Sequence, residues 1–385
     1  MFFLKKKKTT QPLSENMLEV KEALKRMEQS VSLSEELSLS KQDQQLLQYI
    51  RRQTYQLNRD NVTRTKAYLD FYCLYPEVHW AFLGHMVSRN GGWNMTDLRG
   101  DFFSRILNEE KRQVFFTFLE RGNWLIFQDA YPQFLLFAES ERQKRNLFYL
   151  LPYLNISLFM EVIWNQYWRK RDRYLLAIAL IINEQSYLEQ RIIQNSLFKE
   201  KVFHTLEFVL QDVLSVNHIL FPYEGERESE GKASLVGLTL HHFGSLHERI
   251  MLGKRLYRLL FQDENQLKKV FRWAVDHPHT GSRKDYWKDV FNDVDEGVPG
   301  TRFTRRLKGC QLRNGAIRLY SPRLEYAWKN VEHPEAELGD WFHHWNVIDY
   351  LQDENESIHG EIIDEYCETI EKLELAALAK KAIFH

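Results

Sequence analysis

Three imidazoles, a carboxylate and two glycines interrupt the apolar stretch from Ser234 to Arg249, which reads as a helix. On a helix Gly237, His241, Gly244 and Glu248 fall at i, i+4, i+7 and i+11, so they share one face, and the glycines let another backbone or a ligand approach it. His241, His247 and Glu248 are the candidate catalytic residues, because an imidazole or a carboxylate can move protons near neutral pH. A metal fits this face poorly. Ligands to one ion usually stand one turn apart, whereas His241 and Glu248 would lie two turns, about 10 Å, apart. The plainer account is a structural His/Glu/Arg network.

Two further segments carry candidate ligand-binding groups. Between Phe82 and Asp97 the sequence predicts a helix ending at Gly91 and Gly92 and a second one capped by Thr96. The corner would gather His85, Arg89, Asn90 and Asn94, either to satisfy loose helix ends or to meet an anionic group together with free amides. From His277 to Trp287 a helix is expected to start after Ser282. Ser282, Arg283 and Lys284 would then stand at its positive end, where phosphate or carboxylate binds, or serve as an ordinary cap with solvated cations. We expect the face around His241 to pack on the His85 to Asp97 corner, with Arg89 as the counter-ion of Glu248.

Other templates are absent or incomplete. Glu356-x-x-His359 has di-iron spacing but occurs once where that fold needs it twice. No segment matches GxSxG, a P-loop or a dinucleotide fingerprint. No metal site is expected and no motif specifies a cofactor. The cysteines, Cys73, Cys310 and Cys367, are odd in number and lack a CxxC, which suggests neither a disulfide framework nor a thiolate zinc site but a reducing compartment.

Charge is balanced overall, with Lys+Arg 52 against Asp+Glu 53, so no global field draws the chain to nucleic acid. Locally it is uneven. Residues 301 to 323 hold Arg302, Arg305, Arg306, Lys308, Arg313, Arg318 and Arg323 and no acid, whereas 332 to 375 are strongly acidic. Mutual neutralisation is the expected outcome. A nucleic acid on the basic loop, with Phe303 and Tyr320 stacking on bases, is possible but not favoured.

The elements that must position these groups are helical. The 385 residues are 44% hydrophobic, enough for a sizeable core. Ser40 with Asp43 resembles a capping box, and apolar residues recur at helical spacing through 61–74, 114–137, 156–168, 175–182, 202–214, 266–276, 283–291 and 358–383. Ala316 to Tyr320 is the one expected strand. The fold class is therefore mainly α, an irregular multi-helix globular fold with at most a small β element. Residues 1–40 read as a mobile extension, although Met17, Val20, Leu24 and Met27 fit one side of a short helix; 41–221 and 233–385 read as helical subdomains joined by a polar loop at 222–232. The apolar run Tyr174 to Ile182 is too short to span a membrane, which takes about 20 residues. The opening Met1-Phe2-Phe3-Leu4 precedes Lys5 to Lys8, reversing the order of a signal peptide.

The residues HMVSRNGGWNMTDL at 85–98, ERGNWLIFQDAYP at 120–132, HHFGSLHERIMLGKRLY at 241–257 and HTGSRKDYW at 279–287 resemble an uncharacterised, Bacillus-type YppC-like family, a domain of unknown function. The resemblance runs from about residue 45 to the C-terminus. It implies a soluble bacterial, cytoplasmic protein and brings no catalytic residues. The favoured function is a binding protein for a small anionic ligand or partner. The alternative is a hydrolase or transferase on a phosphorylated substrate, and it requires the His and Glu groups to converge in one cleft. Oligomeric state is not readable.

Overall fold

A computed structural model describes residues 13–30, 39–194, 218–225, 232–300, 302–352 and 358–383. It is mainly helical with an irregular arrangement, as the spacing predicts. The helices expected at 202–214 and the Glu356 of the Glu-x-x-His pair lie outside the described residues.

Helices α1 (Glu15–Ser30), α2 (Lys41–Leu57), α3 (Asn61–Leu74) and α4 (His79–Asp97) come first, followed by the single turn α5 (Phe103–Ile106) and the long α6 (Glu109–Gln143). Then come α7 (Leu158–Lys170) and α8 (Arg173–Leu188). Ser40 caps α2 by accepting from Asp43 N at 3.1 Å, as its spacing predicts. Asp60 caps α3 in the same way. Within the extension expected to be mobile, α1 is docked: Val20 and Leu24 are buried, and Asn16 donates to Asp172 at 2.9 Å. Helix α8 is apolar nearly all round and lies in the core. One core cluster takes residues from α1 through the C-terminal helix.

The second half departs from expectation. Ser234 to Thr239 is not helical; it is strand β2, paired antiparallel with β1 (His218–Tyr223) so that Gly237 faces Leu220. A Cβ on Gly237 would lie 2.1 Å from Ile219 O, so glycine is needed for close approach across a hairpin rather than along a helix seam. His242 takes a left-handed φ of 58°, and only after it does α9 (Leu246–Phe261) begin. The face shared by Gly237, His241, Gly244 and Glu248 therefore does not exist.

Helix α10 (Glu264–Asp276) follows, then a single 3-10 turn at Arg283–Asp285 where a longer helix was expected. Short strands β3 (Phe291–Asn292), β4 (Leu307–Lys308), β5 (Gln311–Leu312) and β6 (Leu319–Tyr320) come next, β3 pairing with β6 in parallel. The turn α11 (Leu324–Ala327) and helix α12 (Ile363–Ile383) complete the chain. Cys310 and Cys367 are joined as a disulfide with Cα atoms 5.1 Å apart, which corrects the expectation of unpaired thiols; Cys73 is free. Among the described residues no helix is long and apolar enough to cross a membrane.

Helix α4 runs unbroken through Gly91 and Gly92, where the sequence suggested a corner. Two mid-helix glycines cost about 2 kcal/mol in propensity, and burial on nearly every face of α4 offsets this. Gly92 is needed for space. A Cβ there would sit 2.4 Å from both Asn61 Oδ1 and His279 Nε2, which hydrogen-bond each other at 2.9 Å across the helix. We expect Gly92→Ala to lose about 1–3 kcal/mol by overpacking despite alanine's better propensity, measured as a lower urea midpoint; a gain in stability would refute this reading.

Candidate functional site

The polar groups of α4 divide into a sealed set and an open set. In the sealed set, His85 Nε2 accepts from Arg89 Nε at 3.0 Å, so its Nδ1–H donates to Thr65 O at 2.7 Å. Burial, with Arg89 beside it, holds His85 well below the usual imidazole range and neutral. Arg89 lies over the Trp273 ring and donates to the carbonyls of Ala274 and His277, which satisfies the C-terminal end of α10. Arg89 is thus no counter-ion of Glu248. Asn90 donates to Leu220 O and accepts from Leu220 N, pinning β1 to α4. None of these three lines a described cavity.

The open set surrounds Arg283. Its Nε donates to both oxygens of Asp97 at 2.8 Å, Nη2 reaches Asp97 and Asn94, and Nη1 donates to the hydroxyls of Tyr286 and Tyr366. Burial opposes its charge, but Asp97 and the two phenols more than restore it and hold the guanidinium above its ordinary range. Ser282 donates to Ser321 O and accepts from Lys284 N, while Lys284 pairs with Asp293 at 2.6 Å. Both are therefore tied into the fold.

Arg283, Asp97 and Asn94 form one end of a chamber of 330 Å³ between α4, α5, α6, β1 and α12. Phe103, Phe115 and Leu373 are among the residues that make its body apolar, and His218, Tyr366 and Thr369 join the polar end. A proton chain leads away from that end. Thr239 donates to Glu365 at 2.8 Å and so accepts from His218 Nδ1 at 2.6 Å; His218 Nε2 then accepts from Thr369 at 2.9 Å. Burial pushes His218 down to about 4, partly countered by Glu365, so the ring is neutral at pH 7.

A second chamber of 210 Å³ abuts the first along Phe118, Leu119, Ile219, Leu240 and Phe243. Tyr68, Trp80 and Glu184 line it. Burial, reinforced by Asp129, pushes Glu184 up to about 8, although Trp80 and Gln185 hydrogen-bond the charged form.

The expected catalytic groups do not converge. His241 lies in a shallow polar recess with His359 and Glu365. His247 is exposed beside the Tyr350 ring, 5.8 Å away. Glu248 stands in the first turn of α9, where its amide donates to Ser245. Sequence reasoning missed His218, Thr369, Tyr68 and Glu184. Only Glu184 left a signal: with Asn183 and Gln185 it is a polar triplet directly after the longest apolar run.

The basic segment is largely knitted into the fold. Arg305 pairs with Glu371 at 3.3 Å, Arg306 with Asp101 at 2.7 Å and Arg323 with Asp293 at 2.7 Å, while Glu374 accepts from the amides of Arg306 and Leu307. Phe303 is buried between Arg105 and Arg306, so it has no open face for a base.

Fold and cleft together define a mainly helical protein built round an apolar cavity with polar groups gathered at one end. Residues 56–365 match the family described as "Protein of unknown function (DUF2515)", and the chain belongs to that family. It is 38% identical over 299 residues to "Uncharacterized protein YppC" of Bacillus subtilis (strain 168), covering 77% of this chain and 83% of that protein. No solved structure matches the chain.

Proposed function

We propose that this is a binding protein for a small amphipathic ligand, with an apolar body along Phe103, Phe115 and Leu373 and a polar head at Asn94, Thr369 and Arg283. The observation that carries this reading is a mostly apolar chamber wall in which the polar side chains of Asn94, Asp97, Arg283 and Tyr366 form one hydrogen-bonded cluster. The dispersal of His85, Arg89, His241 and Glu248 also favours binding over acid–base catalysis at those residues. Of the anionic heads that the sequence suggested, a carboxyl suits the chamber better than a phosphate. Arg283 is already engaged by Asp97, Asn94 and two phenols, so a singly charged carboxylate, which needs fewer donors, is preferred to a more highly charged phosphate.

The test is titration with dansyl-aminoundecanoic acid, which joins an apolar chain to a carboxyl. Ala376→Phe, projecting from the chamber wall, is expected to weaken binding at least about tenfold, the equivalent of about 1.4 kcal/mol. Unchanged affinity in a folded Ala376→Phe protein would remove the first chamber from the function.

The chain Thr369–His218–Thr239–Glu365 supports a second reading, hydrolysis of an apolar ester with the Thr369 hydroxyl activated by His218. Turnover of p-nitrophenyl decanoate that disappears in His218→Gln would favour it; absence of turnover in the wild type would end it.

A further inference from the structure

The second chamber carries polar groups that the amphipathic-ligand reading does not use. Its walls are mostly apolar, with Leu83 and Val87 from α4, Ile126 from α6, Ile181 from α8 and Leu256 from α9, and Ser88, Asn123, Gln185 and Arg249 also reach it. A phenol and a carboxyl are set among them. The Tyr68 ring is 3% exposed, edge-on to Trp80 at 5.5 Å and tilted against Phe127 at 5.1 Å. Its hydroxyl is buried and has no hydrogen-bond partner among the described residues. An unpaired buried hydroxyl costs about 1–3 kcal/mol, and phenylalanine fills the same space without it. No described residue satisfies the hydroxyl, and Tyr68 is one of the residues that line the chamber.

Glu184 lines the same chamber and interacts electrostatically with Tyr68. Gln185 donates to Glu184 Oε1 at 2.9 Å, and the Trp80 indole also hydrogen-bonds the carboxyl. With its proton held to about pH 8, the carboxyl is a donor at neutral pH. Two neutral donors in an apolar cavity are suited to one acceptor oxygen, and a phenol beside a carboxylic acid kept neutral by apolar surroundings is an established way to hold a carbonyl. We infer that the second chamber binds an apolar molecule bearing a carbonyl-type oxygen, with the Tyr68 hydroxyl and the Glu184 carboxyl both donating to that oxygen.

The probe is 6-propionyl-2-dimethylaminonaphthalene, an apolar fluorescent ketone, compared with 2-dimethylaminonaphthalene, which lacks only the acyl group. The wild type is expected to bind the ketone about 10- to 100-fold more tightly, the worth of two hydrogen bonds in a buried site. Tyr68→Phe and Glu184→Leu should each remove about tenfold of that preference and leave the hydrocarbon's affinity unchanged. Gly122→Leu should abolish binding of both, because the Gly122 position faces the chamber and a Cβ there meets nothing nearer than Ile192 Cδ1 at 3.7 Å. Ala376→Phe, in the first chamber, should change neither. Equal affinity for the two naphthalenes would overturn the inference, as would tighter binding of the hydrocarbon amine, which would mark an ammonium seated on an ionised Glu184. Loss of ketone binding in Ala376→Phe with retention in Gly122→Leu would place the probe in the first chamber and overturn it equally.

Discussion

Asp97→Ala is expected to lower stability by about 3 kcal/mol, because it leaves a buried guanidinium without its carboxylate. Arg283 is 9% exposed and joins three elements: it meets Asp97 and Asn94 on α4, Tyr286 just after its own turn, and Tyr366 on α12. Loss of the carboxylate removes the contacts at 2.8 and 2.6 Å and leaves Nε without an acceptor. The phenols can still accept, but they bring no formal negative charge. Asp97→Asn keeps one acceptor oxygen and is expected to lose less. Glu248→Ala is the contrasting case: Glu248 is partly exposed at a helix start, and its removal is expected to cost less than about 1 kcal/mol, the worth of a favourable charge near a helix N-terminus. Urea unfolding at pH 7 reads all three. A loss under about 1 kcal/mol for Asp97→Ala would mean that the pair is worth no more than an exposed one.

The helical fold was legible because its strongest signals are local. The cap at Ser40 and the apolar spacing of α6, α7, α8 and α10 depend on residues a turn or two apart. What failed depended on distant partners. Ser234 to Thr239 pairs with His218 to Tyr223 across a loop, and its buried residues, Leu235 and Gly237, alternate with partly exposed neighbours. An alternation this short, followed by a histidine-rich turn and a true helix start at Ser245, blends into one helix-like run. Gly91 and Gly92 misled for a related reason: a double glycine usually ends a helix, and only the Asn61–His279 bond passing over Gly92 explains why this one continues.

The site was legible in part. Arg283 and Asn94 meet at the first chamber, and Asp97 beside them was already in the same segment of sequence. His85, Arg89 and Asn90 are polar and buried, as expected, yet they serve packing: a polar residue in an apolar segment shows that a partner is needed, without showing whether that partner is a backbone carbonyl or a ligand. His218 and Thr369 are far apart in sequence and lie in segments without a motif, so their 2.9 Å contact is a product of tertiary structure alone.

The Glu184 contribution to stability is expected to fall as pH rises from about 5 to 8, on the order of 4 kcal/mol. The neutral, buried or half-buried imidazoles of His79, His85 and His218 act in the opposite sense below about 6.5, where the unfolded chain binds protons that they do not. Burial, with Asp129 adding repulsion, pushes Glu184 up to about 8 from the ordinary 4.5, and burial pushes Asp129 up to about 7 from 3.8. The sign follows from proton counting. Between the unfolded and folded pKa values the native carboxyl holds a proton that the unfolded chain has released, so raising pH favours unfolding throughout that window. Below about 4 both states are protonated and the slope disappears; above about 8 both are ionised, and the full loss has been taken. The other contacts of Asp129 explain how its position is held: Gln133 and Asn183 donate to it while accepting from the indoles of Trp164 and Trp341. Thermal midpoints of the wild type, Glu184→Gln and the double variant Glu184→Gln with Asp129→Asn, each measured from pH 5 to 9, test the assignment. The difference in stability between wild type and Glu184→Gln should fall with pH across that window, and that between wild type and the double variant should fall further, because amides of nearly the same shape do not titrate. A pH dependence that is the same in the wild type and the double variant would place the titrating carboxyls elsewhere, and would leave Glu184 ionised in the second chamber at neutral pH.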